Sequence, residues 1–181
     1  MSEIDKSVWK SAAGDVARVI CSISDPDCLP SQPRSILSYW KSRRRNGFAP
    51  KWDDFDLSDL PPKMLPWSVV VDVKREPTDF VYRFFGTSRV AFHGADYTGM
   101  SVRDMKPASV TEKIISEYSV VMATKKPIYA ATKGVSSIGL PFQYEYLRLP
   151  ISDGDDAVGE IFAVGFSGEG PEADIDYWRD K

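Results

Sequence analysis

Five segments of the chain combine β-branched and aromatic residues in the short runs that are typical of strands. WSVVVDV (67–73) and FVYRFFG (80–86) are separated by a short charged turn, which predicts an antiparallel hairpin. Three further runs follow near the end of the chain: PIYAATKG (127–134), FQYEYLRLPIS (142–152) and AVGEIFAVGFS (157–167). The SDGDD segment between the last two runs predicts a second hairpin, because Asp-Gly accommodates the positive φ of a tight turn.

Three other segments have the apolar spacing of amphipathic helices. Residues 5–23 place apolar side chains along one helical face, and residues 34–46 do the same before an Asn-Gly stop signal. The third helix is predicted over 109–126, and Pro127 ends it. A linker rich in proline and aspartate, 25–33, separates the first two helices.

The order of these elements predicts an α+β fold with an antiparallel sheet, because strands are grouped on both sides of the central helices. At 181 residues the chain has the length of one ordinary domain with a short appendage. We therefore expect an N-terminal helix and linker over 1–33, the main domain over 34–167, and an acidic C-terminal tail over 168–181.

Glycines punctuate the segment YRFFGTSRVAFHGADYTG, in which a strand runs into a short helix. A dinucleotide-binding loop needs glycines at the tight G-x-G-x-x-G spacing, whereas Gly86, Gly94 and Gly99 are eight and five residues apart. We expect Gly86 to lie where a side chain would obstruct the turn, and Thr87 or Ser88 to cap the helix that follows. The pattern favours a topological role for these glycines over phosphate binding.

Composition and charge narrow the classes of function. The formal net charge is −3 and the pI is about 5.3, which argues against a nucleic-acid-binding protein that acts through overall charge. No apolar run approaches the roughly 20 residues of a transmembrane helix, and the acidic N-terminus lacks the apolar core of a signal peptide. Cys21, Cys28 and the single histidine, His93, form no recognisable zinc or catalytic set. We therefore expect inert thiols and a cytoplasmic location.

Two charged clusters have both structural and binding interpretations. KSRRR (41–45) lies at the C-terminal end of a predicted helix, where the helix dipole favours cations. Contact with an anionic lipid or a nucleotide is the alternative. The aspartates between 53 and 59 lack the glycine and the terminal glutamate of an EF-hand loop, so they do not predict a calcium site.

The pattern Tyr-Arg-x-x-Gly-Thr occurs at Tyr82–Thr87, Thr-Gly follows at Thr98–Gly99, and a Leu-Pro-Ile strand end occurs at Leu149–Ile151. Together these short motifs resemble those of the bacterial PAS-type domains that are abundant in alphaproteobacteria. The resemblance covers roughly residues 34–167. It implies a five-stranded antiparallel sheet curled around a cleft, with helices over one face and N-terminal helices in addition. PAS domains generally sense a small molecule, bind a cofactor, or pair with a partner protein.

Alternation along the strands supplies candidate ligand-binding residues. In the second strand the even-numbered aromatic residues from Phe80 to Phe84 share one predicted face, and the odd-numbered residues from Val81 to Phe85 share the other. Binding pockets are typically apolar with a few convergent polar groups. The candidates on this basis are Tyr82, Arg83, Phe84, His93, Tyr97, Tyr144, Tyr146 and Phe162.

The candidates also have structural interpretations. The tyrosines can pack in the core with their hydroxyl groups at its rim. Arg83 can pair with Asp72 or Glu145 across the sheet, which we favour, or it can receive an anionic ligand. His93 can stabilise a helix end as a cation or can line the pocket, and haem ligation through it has no other support. Both cysteines precede the first strand, which excludes the photochemistry of the flavin-binding PAS domains that use a cysteine after the second strand.

The sequence therefore predicts a sensory or interaction module of PAS type that binds a small molecule or a signalling partner, without catalysis. It predicts no nucleic-acid partner, no membrane span and no metal, and it leaves any cofactor unidentified. A homodimer is expected through residues 5–23 or through the second face of the sheet, which is also apolar. Two alternatives stay open. One is a small α+β cleft enzyme whose carboxylates and tyrosines serve as acid-base groups; the other is a structural dimer with a filled interior.

Overall fold

The computed structural model describes residues 7–10, 17–22, 29–106, 108–135 and 141–167. The strands are β1 (Ser7–Lys10), β2 (Ala17–Ser22), β3 (Ser68–Arg75), β4 (Thr78–Phe85), β5 (Ile128–Val135), β6 (Pro141–Ser152) and β7 (Val158–Ser167). The helices are α1 (Ser31–Arg43), α2 (Thr87–His93) and α3 (Ala108–Thr124). The strands form a seven-stranded sheet in the order β1-β2-β5-β6-β7-β3-β4, and all neighbouring pairs are antiparallel.

The elements predicted between residues 34 and 167 are confirmed. The five predicted strands correspond to β3 through β7, and the hairpins β3–β4 and β6–β7 are antiparallel as expected. The helix expected over 34–46 is α1, which begins and ends three residues earlier, and the helix expected over 109–126 agrees with α3 within two residues. Gly154 has a φ of 102° in the β6–β7 turn. The five-stranded antiparallel sheet of the α+β prediction is therefore present.

The N-terminal helix predicted over 5–23 is wrong, because β1 and β2 lie in this segment. Strand β2 pairs with β5 along the edge that the five-stranded sheet would otherwise leave open. The run ARVICS contains Val19 and Ile20, whose β-branched side chains suit a strand better than a helix, and Gly14 interrupts the apolar spacing. The sheet thus extends two strands beyond the expected five.

Two apolar layers cover the two faces of the sheet. The face that we call inner packs against α2 and α3, and its core includes Tyr118 and Ile161. The face that we call outer packs against α1 and the irregular segment that follows it, and its core includes Trp40 and Phe162. The indole Nε1 of Trp40 donates a hydrogen bond of 2.7 Å to the carbonyl oxygen of Pro150, which holds α1 on the sheet. Helices therefore cover both faces, and α1 provides the second covering that the apolar outer face requires.

A β-bulge in the pairing of β3 with β4 reverses the alternation at the end of β4. Val71 pairs with Tyr82 and the preceding valine pairs with Phe84, so Arg83 lies between two paired positions. Beyond the bulge Phe85 joins Tyr82 in the inner core, whereas Phe84 packs against the outer core. The predicted grouping of Phe84 with Tyr82 is wrong, because an extra residue in one strand moves every later side chain to the opposite face.

Gly86 links β4 to α2 at a place that excludes a side chain, as expected from the sequence. An added Cβ would lie 2.4 Å from the carbonyl oxygen of Pro66 and 2.5 Å from that of Leu65. Gly86 also occupies the N-cap position of α2, and Thr87 is already the first helical residue. The prediction that Thr87 or Ser88 caps this helix is wrong, because the close approach of the backbone reserves the N-cap position for glycine.

The segment after α2 covers the free edge of β4. Gly94 ends α2 in the left-handed conformation with a φ of 71°, and Gly99, with a φ of 81°, begins the return toward the sheet. The backbone nitrogen of Gly99 donates to the carbonyl oxygen of Tyr82 at 2.7 Å, and the nitrogen of Tyr82 donates to the carbonyl oxygen of Met100 at 3.0 Å. The chain itself therefore satisfies backbone groups along this edge.

Candidate ligand-binding site

A cleft lies between α2 and the inner face of the sheet, where β6 begins and β7 ends. Its empty volume is about 290 Å³, part of which is open to solvent. Most of its walls are aromatic, and the lining residues are Trp67, Arg89, Phe92, Tyr144, Tyr146, Gly165 and Phe166.

Local structure explains why these side chains meet. Arg89 and Phe92 are three residues apart on α2, so they lie on the same side of the helix. Tyr144 and Tyr146 alternate along β6 and share one face, as the sequence predicted. Gly165 pairs with Tyr146 across the ladder, and an added Cβ would lie 3.1 Å from the ring of Tyr146 and 3.8 Å from Cζ of Arg89. The glycine therefore leaves room for the guanidinium group.

The side chain of Arg89 is the polar group that distinguishes the cleft. The residue is 8% exposed, and its guanidinium lies over the ring of Tyr146 with Cζ 4.9 Å from the ring centroid. Nη1 donates a long hydrogen bond of 3.3 Å to the hydroxyl oxygen of Tyr146. Nε of Arg89 is buried and has no hydrogen-bond partner among the described residues. No described carboxylate lies within ion-pair distance of this guanidinium.

A second buried arginine lies close by and differs in its electrostatic environment. Arg148 on β6 and Glu117 on α3 have side chains that are 4% and 1% exposed. Nε and Nη2 of Arg148 lie 2.6 Å and 2.5 Å from the same carboxylate oxygen of Glu117. The Arg148 guanidinium also lies over the ring of Tyr118, at 4.5 Å from its centroid. The positive charge of Arg148 is therefore compensated within the fold, which is what a buried ion requires.

His93 lies in an aromatic environment at the end of α2. The rings of Phe92, Phe85 and Tyr97 lie at centroid distances of 5.1, 5.8 and 6.4 Å from the imidazole. Burial, and to a smaller extent the positive charge of Arg89, lowers the pKa of His93 from 6.5 to about 3. His93 is therefore neutral near pH 7, and its predicted role as a cation at the helix end is wrong. The imidazole contacts the ring of Phe92, which lines the cleft.

Four other predicted candidates belong to the two cores. The hydroxyl group of Tyr82 donates to Sδ of Met105 at 2.8 Å, and burial raises the pKa of Tyr82 well above its ordinary value. Tyr97 packs with Tyr82 in the inner core, at a centroid distance of 6.4 Å. Phe162 is fully buried in the outer core, and Phe84 packs against that core. The structure thus brings none of these four to the cleft wall.

Arg83 lies on the outer face, away from the cleft. Its Nε is 2.7 Å from Oδ1 of Asp72, and its Nη2 is 2.8 Å from Oε1 of Glu160. Its guanidinium also lies over Trp52, at 4.9 Å from the ring. The predicted pairing with Asp72 is confirmed, but the alternative partner Glu145 is wrong, because β7 and not β6 lies next to β3 in the sheet. Burial raises the pKa of Glu160, and Arg83 counteracts this rise.

Sequence reasoning missed five of the seven lining residues: Trp67, Arg89, Phe92, Gly165 and Phe166. Helix α2 spans seven residues, which is too short for the apolar period to identify its buried side. Arginine is also among the residues that are mostly exposed, so its burial is not expected without a partner. The signal that was present is the i, i+3 spacing of Arg89 and Phe92 directly after the obligatory Gly86.

The charged clusters outside the cleft bind each other. Arg43 Nη2 lies 2.5 Å from a carboxylate oxygen of Asp59, and Arg45 Nη2 lies 2.6 Å from one of Asp54. This pairing favours the structural interpretation of the KSRRR segment. In the described ranges no three His, Cys, Asp or Glu side chains are arranged to hold a metal ion.

No helix in the described part of the chain has both the length and the apolar character that are needed to cross a bilayer. The cytoplasmic location and the division into 1–33, 34–167 and 168–181 stay predictions, and the tail over 168–181 lies outside the described residues.

Comparison with known proteins gives one family match and several similar folds. The family model described as "PAS domain" matches residues 30–164. The LOV domain of the blue-light photoreceptor Aureochrome1 is 10% identical, with 70% of this chain and 91% of that chain covered and a TM-score of 0.42. A variant of the fungal photoreceptor VVD is 14% identical, with coverages of 73% and 93% and a TM-score of 0.42. A PAS domain from Colwellia psychrerythraea is 12% identical, with coverages of 56% and 86% and a TM-score of 0.37. No curated protein matches the chain at a significant level.

An antiparallel sheet whose inner face is closed by helices defines a small α+β domain. The chain belongs to the PAS domain family, because the family model matches well over half of its length. The resemblance inferred from the Gly-Thr and Thr-Gly motifs is therefore confirmed. PAS domains are generally sensory domains that take part in signal sensing, and the likeness to the solved structures at these identities concerns the fold alone.

Proposed function

We propose that the chain is a sensory PAS module whose input is a small molecule bound in the cleft beside α2, and that it binds this molecule without transforming it. The observation that supports the proposal is the buried side chain of Arg89. Arg89 lines an aromatic cleft, and its buried Nε has no partner in the described part of the chain. A bound ligand would supply the missing partner.

The energetics of burial support this interpretation over a filled structural interior. An unsatisfied buried donor costs about 1–3 kcal/mol, and the cost is higher for a charged group. The stacking of Arg89 on Tyr146 recovers part of this cost, because a cation over an aromatic ring gains about 0.5–2 kcal/mol. A guanidinium that has no use would be replaced without loss by an apolar side chain, so its presence favours a binding role.

The positions of the carboxylates favour a sensor over the alternative enzyme. Glu117 is a buried acid on the inner side of the sheet, but its Oε2 is held by two nitrogen atoms of Arg148. The cleft wall itself consists of one arginine, one glycine and aromatic side chains. An acid-base mechanism needs a carboxylate that can reach the substrate, and none of the described lining residues supplies one.

The test is direct detection of a bound molecule together with a variant that fills the cleft. Native mass spectrometry of protein isolated from its own host, before and after denaturation, is expected to show a mass that denaturation releases. Gly165→Ala places a methyl group between Tyr146 and Arg89 and is expected to lose this mass. Gly47→Ala is the matched control, because an added Cβ there makes only ordinary contacts away from the cleft.

Two results would contradict the proposal. The released mass could persist in Gly165→Ala, which would place the ligand elsewhere. Alternatively, a fragment library could leave the NMR signals of the Trp67 indole and the Gly165 amide unchanged, which would show that the cleft accepts no small molecule.

We also propose that output passes through association, with a second copy or with a signalling partner protein, since PAS domains commonly mediate dimerisation. The predicted route through a helix over 5–23 no longer applies, because β1 and β2 lie there. The route through the outer face is covered in large part by α1. The remaining route is the edge of β1, which among the described strands pairs on one side with β2.

A further inference from the structure

We propose that the ligand carries an oxyanion, a carboxylate or a phosphate group, which Arg89 binds inside the cleft, and that a planar apolar body attached to this group packs among the aromatic walls. The inference rests on the proposed small-molecule binding and names the class of ligand. The sequence alone suggests Arg83 as a possible anion-binding residue, and the proposal assigns this role to Arg89 instead.

The first support is the balance of buried charge. The described buried residues include two guanidinium groups, Arg89 and Arg148, and one carboxylate, Glu117. Glu117 accepts from Nε and Nη2 of Arg148 and therefore compensates that arginine. One positive charge is left on Arg89 in a region where ions require a counter-charge. An oxyanion supplies the negative charge that the buried layer lacks.

The second support is the orientation of the guanidinium. Cζ of Arg89 lies over the ring of Tyr146, 4.9 Å from its centroid, and Nη1 donates to the hydroxyl oxygen of that tyrosine at 3.3 Å. Nε, which is orphaned among the described residues, belongs to the side-on edge with which arginine binds two oxygens of one carboxylate or phosphate. The two contacts with Tyr146 hold the guanidinium group in position before a ligand arrives. A neutral acceptor could satisfy one N–H group but would leave the charge uncompensated.

The third support is the shape and chemistry of the surrounding wall. Trp67, Phe92 and Tyr144 form a chain of edge-to-face contacts, with centroid distances of 6.4 Å and 5.8 Å between successive rings. Rings in such an arrangement favour a flat apolar partner. The empty space of about 290 Å³ includes space open to solvent, so the cleft is too small to enclose a body as large as a dinucleotide.

Titrations with matched small probes test the inference. Benzoate and phenyl phosphate carry the two oxyanions on one ring, benzyl alcohol is the neutral counterpart, and acetate and inorganic phosphate are the anions alone. Binding is followed by calorimetry and by NMR signals of the Trp67 indole and the Gly165 amide. We expect one of the two ring anions to bind about 10- to 100-fold more tightly than benzyl alcohol, which is the range of a charge-assisted hydrogen bond. The stronger of the two identifies the oxyanion.

Two arginine variants assign the effect to one residue. Arg89→Met retains an apolar stem without the charge, and it is expected to bring benzoate and phenyl phosphate down to the affinity of benzyl alcohol. Arg83→Met is the matched control, because Arg83 lies on the outer face with carboxylates of its own, and it is expected to leave all affinities unchanged. Arg89→Lys retains the charge without the bidentate edge and is expected to keep part of the preference.

The outcomes separate this inference from the function on which it rests. Equal binding of benzoate and benzyl alcohol, or anion binding that Arg89→Met does not weaken, would overturn the anion assignment and leave small-molecule binding intact. An anion preference lost in Arg83→Met would assign the site to the outer face and overturn the inference. If no probe and no library fragment perturbs the cleft signals, both proposals fail.

Discussion

Arg89 and Arg148 allow the same substitution at two buried arginines with expected effects on stability that differ by several kcal/mol, about 3–5 at Arg148 and about 1 or less at Arg89. In Arg148→Met, Glu117 keeps its buried charge and loses the guanidinium that compensates it. Removing one partner of a buried ion pair typically costs about 3–5 kcal/mol. We therefore expect the free energy of unfolding of Arg148→Met to fall by about this amount.

Arg89→Met removes a charge that no described carboxylate compensates. The orphaned Nε costs about 1–3 kcal/mol in the native protein. The lost stacking on Tyr146 is worth about 0.5–2 kcal/mol, and the hydrogen bond of 3.3 Å to its hydroxyl oxygen is weak. Methionine retains the apolar contacts of the arginine stem. Because these terms largely cancel, we expect the free energy of unfolding to stay within about 1 kcal/mol of the wild-type value or to rise.

Urea denaturation of both variants at pH 7, in ligand-free protein, measures the difference. The double variant Glu117→Leu/Arg148→Met is the control for the first effect, and we expect it to recover most of the loss, because no buried charge is left unpaired. If Arg89→Met is as destabilising as Arg148→Met, Arg89 has a structural counter-charge, and the reasoning that assigns it to a ligand is refuted.

Three further predictions concern His93, the glycines and the N-terminus. His93, the single histidine, is expected to titrate in NMR far below pH 6.5, and a midpoint near 6.5 would show an exposed ring. The pKa of His93 is lower in the native protein than in the unfolded chain, so the unfolded chain binds the proton first as the pH falls. The contribution of His93 to the free energy of unfolding is therefore lost as the pH falls from 6.5 toward 3. His93→Phe should flatten this pH dependence. Gly86→Ala is expected to destabilise the protein by more than Gly94→Ala, because a methyl group at position 86 would overlap the backbone of Pro66. At Gly94 the added methyl group meets only backbone strain of about 1–2 kcal/mol. Equal losses of stability in thermal unfolding would contradict the close approach to Pro66. Deletion of residues 1–28, which retains the buried Leu29, is expected to halve the mass in solution measured by light scattering, and an unchanged mass would exclude association through β1.

The sequence predicts the sheet well because its strands carry a strong local signal. In β3 the β-branched residues, and in β6 the alternating tyrosines, favour a strand both by their residue type and by their spacing. The segment over 5–23 lacks this agreement, because Val16, Val19 and Ile20 have a helical spacing while their β-branched side chains suit a strand. The segment forms strands because β2 pairs with β5. Strand β5 is distant in the sequence, so the residues of the segment itself do not indicate this pairing.

The candidate site was predictable only where the strand period holds. Tyr144 and Tyr146 were assigned to a common face correctly, since β6 is regular at these positions. Phe84 was assigned to the wrong face, because a bulge is a property of the pairing and not of the side chain. The sequence indicates Arg83 rather than Arg89, because an arginine within an apolar strand pattern is unusual, whereas an arginine in a short helix matches the usual exposed position. The partners of the two arginines, and not their sequence neighbours, distinguish them.

The covered edge of β4 has a consequence for assembly. Because the backbone of residues 99–100 occupies that side, strand addition by another molecule is confined, within the described chain, to the far end at β1. Two copies that pair through their β1 edges are related by a twofold axis. Neither copy then has a second sheet edge free for pairing, because residues 99–100 lie along β4. Growth by this route stops at two molecules and cannot continue into a fibre.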